Sequence, residues 1–144
     1  MNIQSPAERE KFSRLRQSLM QLAGGIPPLV RSMISGKAVV RGTVYELKRK
    51  CGKPACRCAR GELHPRMVLS VSQGGRTKIR AIPRGMLRDV KIRVRRYQKF
   101  RRSRARLGEI HKKMLAIIDE MEAMRTEPMV PEETGGGGKQ QAEA

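Results

Sequence analysis

MVLSVSQGGRTKIRAI, residues 67–82, decides the fold class of this 144-residue chain. Its apolar residues Met67, Leu69 and Val71 occupy every second position, and this period of two is typical of a β-strand. The last six residues of the stretch are also rich in strand-forming side chains. Gly74-Gly75 lies between the two runs and suits a tight turn, so the stretch predicts a β-hairpin.

A third run of strand formers lies upstream of the hairpin, at TVYEL, residues 43–47. Together with the hairpin it predicts a small antiparallel sheet of three strands. The connection between the first and second strands is CGKPACRC, residues 51–58, and its continuation to His64. All three cysteines of the chain therefore fall into one loop of the sheet.

The N-terminal part of the chain predicts a helix. Ser5-Pro6-Ala7-Glu8 has the pattern of a capping box, and Gly24-Gly25 favours a helix end. A shorter helix is expected after Pro27-Pro28, ending by Gly36. Four apolar residues of the first helix recur at spacings of three and four and so share one face: Phe12, Leu15, Leu19 and Leu22.

A long helix is predicted after Pro83, from residue 84 to about residue 125. Val90, Ile92 and Val94 alternate as in a strand, but helical spacings and the uninterrupted continuation favour a helix. Its second half has an apolar seam of coiled-coil type, which either packs against the N-terminal helix or pairs between chains. The seam consists of Leu107, Ile110, Met114, Ile117, Met121 and Met124.

These elements predict an α+β fold: a small three-stranded antiparallel sheet with a Cys/His loop, an N-terminal helix and a long C-terminal helix. We divide the chain into an N-terminal helical segment, residues 1–38, and the Cys/His-loop sheet with its long basic helix, residues 39–125. Residues 126–144 contain four consecutive glycines and few apolar side chains, so we expect them to form a disordered tail.

The net charge of +19 indicates a polyanionic partner. Residues 84–106 contain eleven Lys and Arg against one Asp, a net charge of +10, whereas residues 107–125 have a net charge of −1. Nucleic acid is the expected partner, and an anionic membrane surface is the weaker alternative. No apolar run is long enough to span a membrane, and the first residues are polar, so we expect a cytoplasmic protein.

Cys51, Cys56, Cys58 and His64 are the candidate metal ligands. Zinc takes four thiolate or imidazole ligands, and a metal clip would stabilise a sheet with a small core. The Cys-x-Cys spacing argues against this, because alternate residues of an extended chain point to opposite sides. We predict one structural zinc ion; free cysteines with an unrelated histidine, and redox chemistry, are the alternatives.

Residues 42–115 resemble a family of small uncharacterised bacterial, archaeal and phage proteins. The resemblance rests on the Cys-Gly-Lys-Pro-x-Cys-x-Cys segment, the Ala-Arg-Gly-Glu-x-His segment that ends at His64, the glycine turn and the Arg-Arg-Tyr-x-x-Phe pattern at residues 95–100. In the family a hairpin and a long basic helix follow the cysteine segment. The resemblance implies that the cluster acts as a unit and that the protein is an accessory of a mobile element or phage; it implies no activity.

The function predicted from these features is non-catalytic binding of nucleic acid, with double-stranded DNA as the favoured partner. The sequence shows none of the patterns that would indicate an enzyme: paired carboxylates in the folded region, a Ser-His-Asp set or a phosphate loop. The alternative is an adaptor that forms a homodimer, or docks to a recombinase-like partner, through the apolar seam. The residues expected to contact phosphate are Lys48, Arg49, Lys50, Lys53, Arg57, Arg60, Arg88, Lys91, Arg95, Arg96, Lys99 and Arg102.

Overall fold

A computed structural model describes residue 3, residues 5–127 and residue 129 of the chain. It confirms the α+β fold with an N-terminal helix, a three-stranded antiparallel sheet and a long C-terminal helix. Two short 3-10 helices, Arg57–Arg60 and Arg84–Met86, supplement the main elements. In chain order the main elements are α1 (Pro6–Gly24), α2 (Ile26–Met33), β1 (Thr43–Arg49), β2 (His64–Gln73), β3 (Arg76–Ala81) and α3 (Leu87–Ala123).

The sheet has the order β1-β2-β3, and both pairings are antiparallel. The β2–β3 hairpin closes at the Gln73↔Arg76 pair, with Gly74 and Gly75 between them at φ values of 57° and 75°. Two successive positive φ angles are what a two-residue type I′ turn requires, and glycine adopts them without strain. The predicted hairpin is therefore confirmed, and β2 is longer than predicted because it begins at His64.

Gly42 stands just before β1 in a conformation that other residues rarely adopt, with φ at 137°. A Cβ atom at this position would lie 2.6 Å from the backbone oxygen of Ser70 and 2.9 Å from a methyl carbon of Leu69. Because the nearest atom belongs to the backbone of β2, it cannot move aside cheaply. Gly42 thus allows the chain to enter the sheet close against β2.

Gly42→Ala is expected to lower the free energy of unfolding by ~2 kcal/mol or more, because it combines a strained φ with a steric clash. Urea denaturation followed by circular dichroism measures the loss. Gly36→Ala is the matched control, since a Cβ there meets nothing within 4 Å. Equal stability of the two variants would show that β1 can shift away from β2 at no cost.

The chain forms two compact units, and α3 contributes to both. The unit Gly25–Ile110 contains the sheet, and its buried side chains include Val68 and Val94. In this unit the hydroxyls of Ser32 and Ser103 are hydrogen-bonded to each other over 2.7 Å, which ties α2 to α3. The Val40 amide donates to the carbonyl of Arg93 over 3.2 Å, which fixes the segment before β1 along the same helix.

The other unit combines Met1–Gly24 with His111–Ala144. Its helix α1 begins with the predicted capping box: the Glu8 amide donates to Ser5 Oγ over 3.1 Å, and the Ser5 amide donates to Glu8 Oε2 over 3.0 Å. The ammonium of Lys11 pairs with the carboxylate of Glu120 over 2.6 Å. The guanidinium of Arg125 lies 5.8 Å from the ring centre of Phe12, which is buried.

The apolar seam of α3 is partly covered within the chain. Ile110 is buried, whereas Leu107, Met114, Ile117, Met121 and Met124 are half-buried. An ion pair and a cation–ring contact join α1 to the C-terminal turns of α3 within one chain, but neither contact involves a seam residue. Packing of the apolar face of α1 against the seam stays a prediction. Pairing of the seam between chains stays a prediction. The predicted disordered tail lies outside the described residues, apart from Thr126, Glu127 and Met129.

Candidate metal centre and basic surface

The candidate metal ligands lie where the β1–β2 connection leaves and re-enters the sheet. Cys51 follows β1 by two residues, and His64 is the first residue of β2. His64 is paired with Arg49 in the antiparallel register. The sheet therefore holds the two ends of the loop side by side, before any metal ion is considered.

Turns within the loop bring the two middle cysteines to the same place. The Cys56 amide donates to the carbonyl of Lys53 over 3.2 Å, next to Gly52 with φ at 81°. Cys56 itself is extended, and a 3-10 helix then turns the chain so that Cys58 points back toward Cys51. Gly61 ends this helix with φ at 110°. The sharp turn after Cys56 overcomes the objection that a Cys-x-Cys pair faces opposite sides.

The four side chains form a compact ligand set. Their donor atoms all lie within 4.8 Å of one another. Cys51 Sγ and Cys58 Sγ are 3.4 Å apart, and Cys56 Sγ is 2.9 Å from His64 Nε2. A tetrahedral ion with Zn–S bonds of ~2.3 Å separates two sulfur atoms by ~3.8 Å, so the spacing fits one ion. The four predicted residues can therefore hold a metal ion together.

The surroundings of the cluster suit thiolate ligation. Cys58 is only 1% exposed, and its sulfur accepts a hydrogen bond from the Cys51 amide over 3.2 Å. An amide directed at sulfur fixes the orientation of the ligand. All three cysteines are free of disulfide bonds. Three sulfur ligands and one imidazole favour a soft or borderline metal over magnesium or calcium.

The basic residues predicted to contact phosphate lie on two surfaces. Those of β1 and the loop are exposed on and around the Cys/His loop: Lys48, Arg49, Lys50, Lys53, Arg57 and Arg60. Five residues of α3 follow one another at spacings of three and four, so they share one exposed helix face, which we call the basic face: Arg88, Lys91, Arg95, Lys99 and Arg102.

Arg96 is the exception among the predicted contacts. It is half-buried, and its Nη1 donates to the carbonyl of Ala38 over 3.3 Å. Its guanidinium therefore fastens the segment before β1 to α3. Arg96 therefore holds two parts of the fold together and does not belong to the basic face.

No carboxylate among the described residues pairs with the basic face. The ion pairs on α3 use other arginines: Arg93 with Asp89 over 2.9 Å, and Arg106 with Glu109 over 3.0 Å. The five like charges at helical neighbour spacings therefore repel one another without compensation from any described carboxylate. In the part of the chain that the structure describes, no helix has the length and apolar character needed to cross a bilayer.

The sequence patterns missed a polar cleft in the unit Gly25–Ile110. It is open to solvent and lies between the sheet and α3, with Arg41, Tyr97 and Arg101 among its lining residues. Arg41 Nε donates to the Tyr97 hydroxyl over 3.0 Å. This hydrogen bond lowers the pKa of Tyr97 below its usual value, and the charges of Arg41 and Arg101 add to the effect. The sequence carries no local signal for the cleft, because the side of the sheet that faces α3 is set only in the folded chain.

Fold and site together define a small α+β protein with a Cys3His cluster in the loop between two strands. A family model described as a domain of unknown function, DUF6788, matches residues 10–91. The match spans α1, α2, the Cys/His loop, the sheet and the first turn of α3, which is more than half of the chain, and the chain therefore belongs to this family. No curated protein and no solved structure matches the chain.

Membership confirms the expectation of an uncharacterised family, but the matched residues differ from those of the resemblance. The resemblance seen in the sequence covered residues 42–115, whereas the family match begins in α1 and ends early in α3. Three of the five residues of the basic face, Arg95, Lys99 and Arg102, therefore lie beyond the matched region. The four candidate metal ligands lie entirely inside the matched region.

Proposed function

We propose that this protein binds double-stranded DNA without catalysing a reaction on it, and that a structural zinc ion in the Cys/His loop stabilises its sheet. The observation that supports DNA binding is the basic face of α3. Five exposed cations, none of which pairs with a carboxylate of the described residues, form a row of about 21 Å, at 1.5 Å of rise per residue. Phosphates along a nucleic-acid backbone would neutralise this row and release condensed counterions.

Zinc is the metal that suits the ligand set best. It takes tetrahedral thiolate and imidazole ligands, and structural zinc sites are closed by four protein groups, as this cluster would be. A bound ion would hold β1 and β2 at their joined end and keep the turn around Lys53 and Arg57 rigid. Both side chains are exposed, so a rigid turn would present their charges at a lower entropic cost on binding.

Arg95→Gln combined with Lys99→Gln is expected to weaken binding to a DNA duplex by about tenfold at low salt, because two phosphate contacts are lost. Fluorescence anisotropy of a labelled duplex measures the affinity, with a duplex RNA of the same sequence in parallel. The protein should bind the DNA duplex at least as tightly as the RNA duplex if it prefers B-form geometry.

The control is Lys112→Gln combined with Lys113→Gln, which removes the same charge from the C-terminal half of α3. Its duplex affinity should stay within about twofold of the unmodified protein, since these residues lie in the segment with negative net charge. Equal losses in both double variants would mean that total charge alone governs the interaction. An unmodified protein that binds no duplex at low salt would refute the proposed function.

A further inference from the structure

The polar cleft between the sheet and α3 has a chemically uniform sheet side. Thr43 pairs with Ser70 across β1 and β2, and Ser72 pairs with Thr77 across β2 and β3. Directly paired residues, and residues two apart in a strand, project from the same face of a sheet. All four line the cleft, so four hydroxyl groups line it side by side.

This face of β2 changes character along the strand. Val68 lies two residues before Ser70, projects from the same face and is only 2% exposed. Beyond it the face continues with Ser70, which is half-buried, and Ser72, which is exposed. A sheet face that turned to α3 only for packing would continue with apolar residues. Hydroxyl groups in their place provide donors for a polar ligand.

The helix side of the cleft supplies positive charge. Arg101 and Arg102 line it from α3, and Arg41 lines it from the segment before β1. None of the lining residues is acidic. The Arg41 guanidinium is held at the Tyr97 hydroxyl by its hydrogen bond, so it is fixed in place before a ligand arrives. The same hydrogen bond lowers the pKa of Tyr97, and the charges of Arg41 and Arg101 lower it further.

We propose that this cleft is a specific binding site for a phosphate group. Guanidinium groups match the geometry of phosphate oxygens, and a tetrahedral anion with several oxygens can accept from arginines on one side and hydroxyls on the other. Arg102 belongs both to the cleft and to the basic face, so the site borders the surface proposed to bind DNA. The inference itself does not require duplex binding, because free nucleotides offer the same group.

Isothermal titration of the purified full chain with inorganic phosphate tests the site. Arg101→Gln is expected to lower the phosphate affinity about tenfold or more, since one charge-assisted hydrogen bond is lost. Ser72→Ala combined with Thr77→Val changes no charge and is expected to lower the affinity about threefold or more. Arg104→Gln, an exposed α3 residue that does not line the cleft, should change it less than twofold.

Two further titrations, one with a nucleoside monophosphate and one with a DNA duplex as competitor, identify the source of the phosphate. If a nucleoside monophosphate binds more tightly than inorganic phosphate and a DNA duplex does not displace it, the ligand is a small nucleotide. If the duplex displaces phosphate from the unmodified protein, the ligand is a backbone or terminal phosphate of nucleic acid. Both results support the site.

The proposal is overturned if phosphate fails to bind, or if Arg101→Gln and Arg104→Gln have the same effect while the hydroxyl variant has none. Duplex binding that persists in that case would leave the proposed function intact. Phosphate binding without duplex binding would refute the proposed function and leave the site intact.

Discussion

Cys58→Ser is expected to abolish stoichiometric zinc binding and to lower the melting temperature by about 10 °C or more. Cys58 is the buried ligand, and its sulfur is in contact with both the thiol and the amide of Cys51. Structural zinc ions contribute directly to folding free energy, and a loss of several kcal/mol corresponds to a shift of this size in a small domain. Metal analysis of the purified protein and calorimetry measure the two effects.

The histidines of the chain provide the matched control for this prediction. His64→Gln should reduce zinc affinity strongly, whereas His111→Gln should not, because His111 lies on α3 outside the ligand set. A chelator should lower the melting temperature of the unmodified protein toward that of Cys58→Ser. A protein that purifies without metal and melts unchanged in the presence of chelator would contradict the metal site.

Raising the salt concentration from about 50 mM to about 200 mM is expected to weaken DNA binding by roughly 10³-fold. The basic face and the exposed cations of the Cys/His loop would together engage about six phosphates, and each engaged phosphate adds about 0.9 to the log–log salt slope. Anisotropy titrations over a series of potassium chloride concentrations give this slope.

The variants at Arg95 and Lys99 should make the salt slope shallower by about two, one for each lost contact. The Lys112 and Lys113 variants should leave it unchanged. An affinity that is insensitive to salt would show that binding depends on contacts other than those to phosphate. A shallow slope in every variant would point to only one or two engaged phosphates.

The strands and helices could be predicted because their signals are local. Alternation at Met67, Leu69 and Val71 predicted β2, and Gly74-Gly75 predicted the turn whose positive φ angles the structure contains. The ambiguous alternation from Val90 to Val94 was correctly assigned to a helix, since it continues without a break into α3.

Two features could not be predicted, because they depend on contacts that the chain forms only when folded. Whether Cys56 and Cys58 reach one ion depends on the 3-10 helix that begins after Cys56, and no spacing rule for extended chains includes it. The cleft depends on the register that sets Ser72 opposite Thr77 and on the side of the sheet that faces α3. Serine and threonine in a strand give no local sign of such a neighbour.

The Cys/His loop has a consequence for the order of events during synthesis. All four ligands fall within residues 51–64, and the sheet strands that flank them are neighbours in sequence. A chain emerging from the ribosome therefore exposes the complete ligand set before β3 or any of α3 has emerged. Contacts between residues so close in sequence also form rapidly. Metal binding at the Cys/His loop can thus precede the folding of β3 and α3 and can stabilise the joined end of β1 and β2 before these elements form.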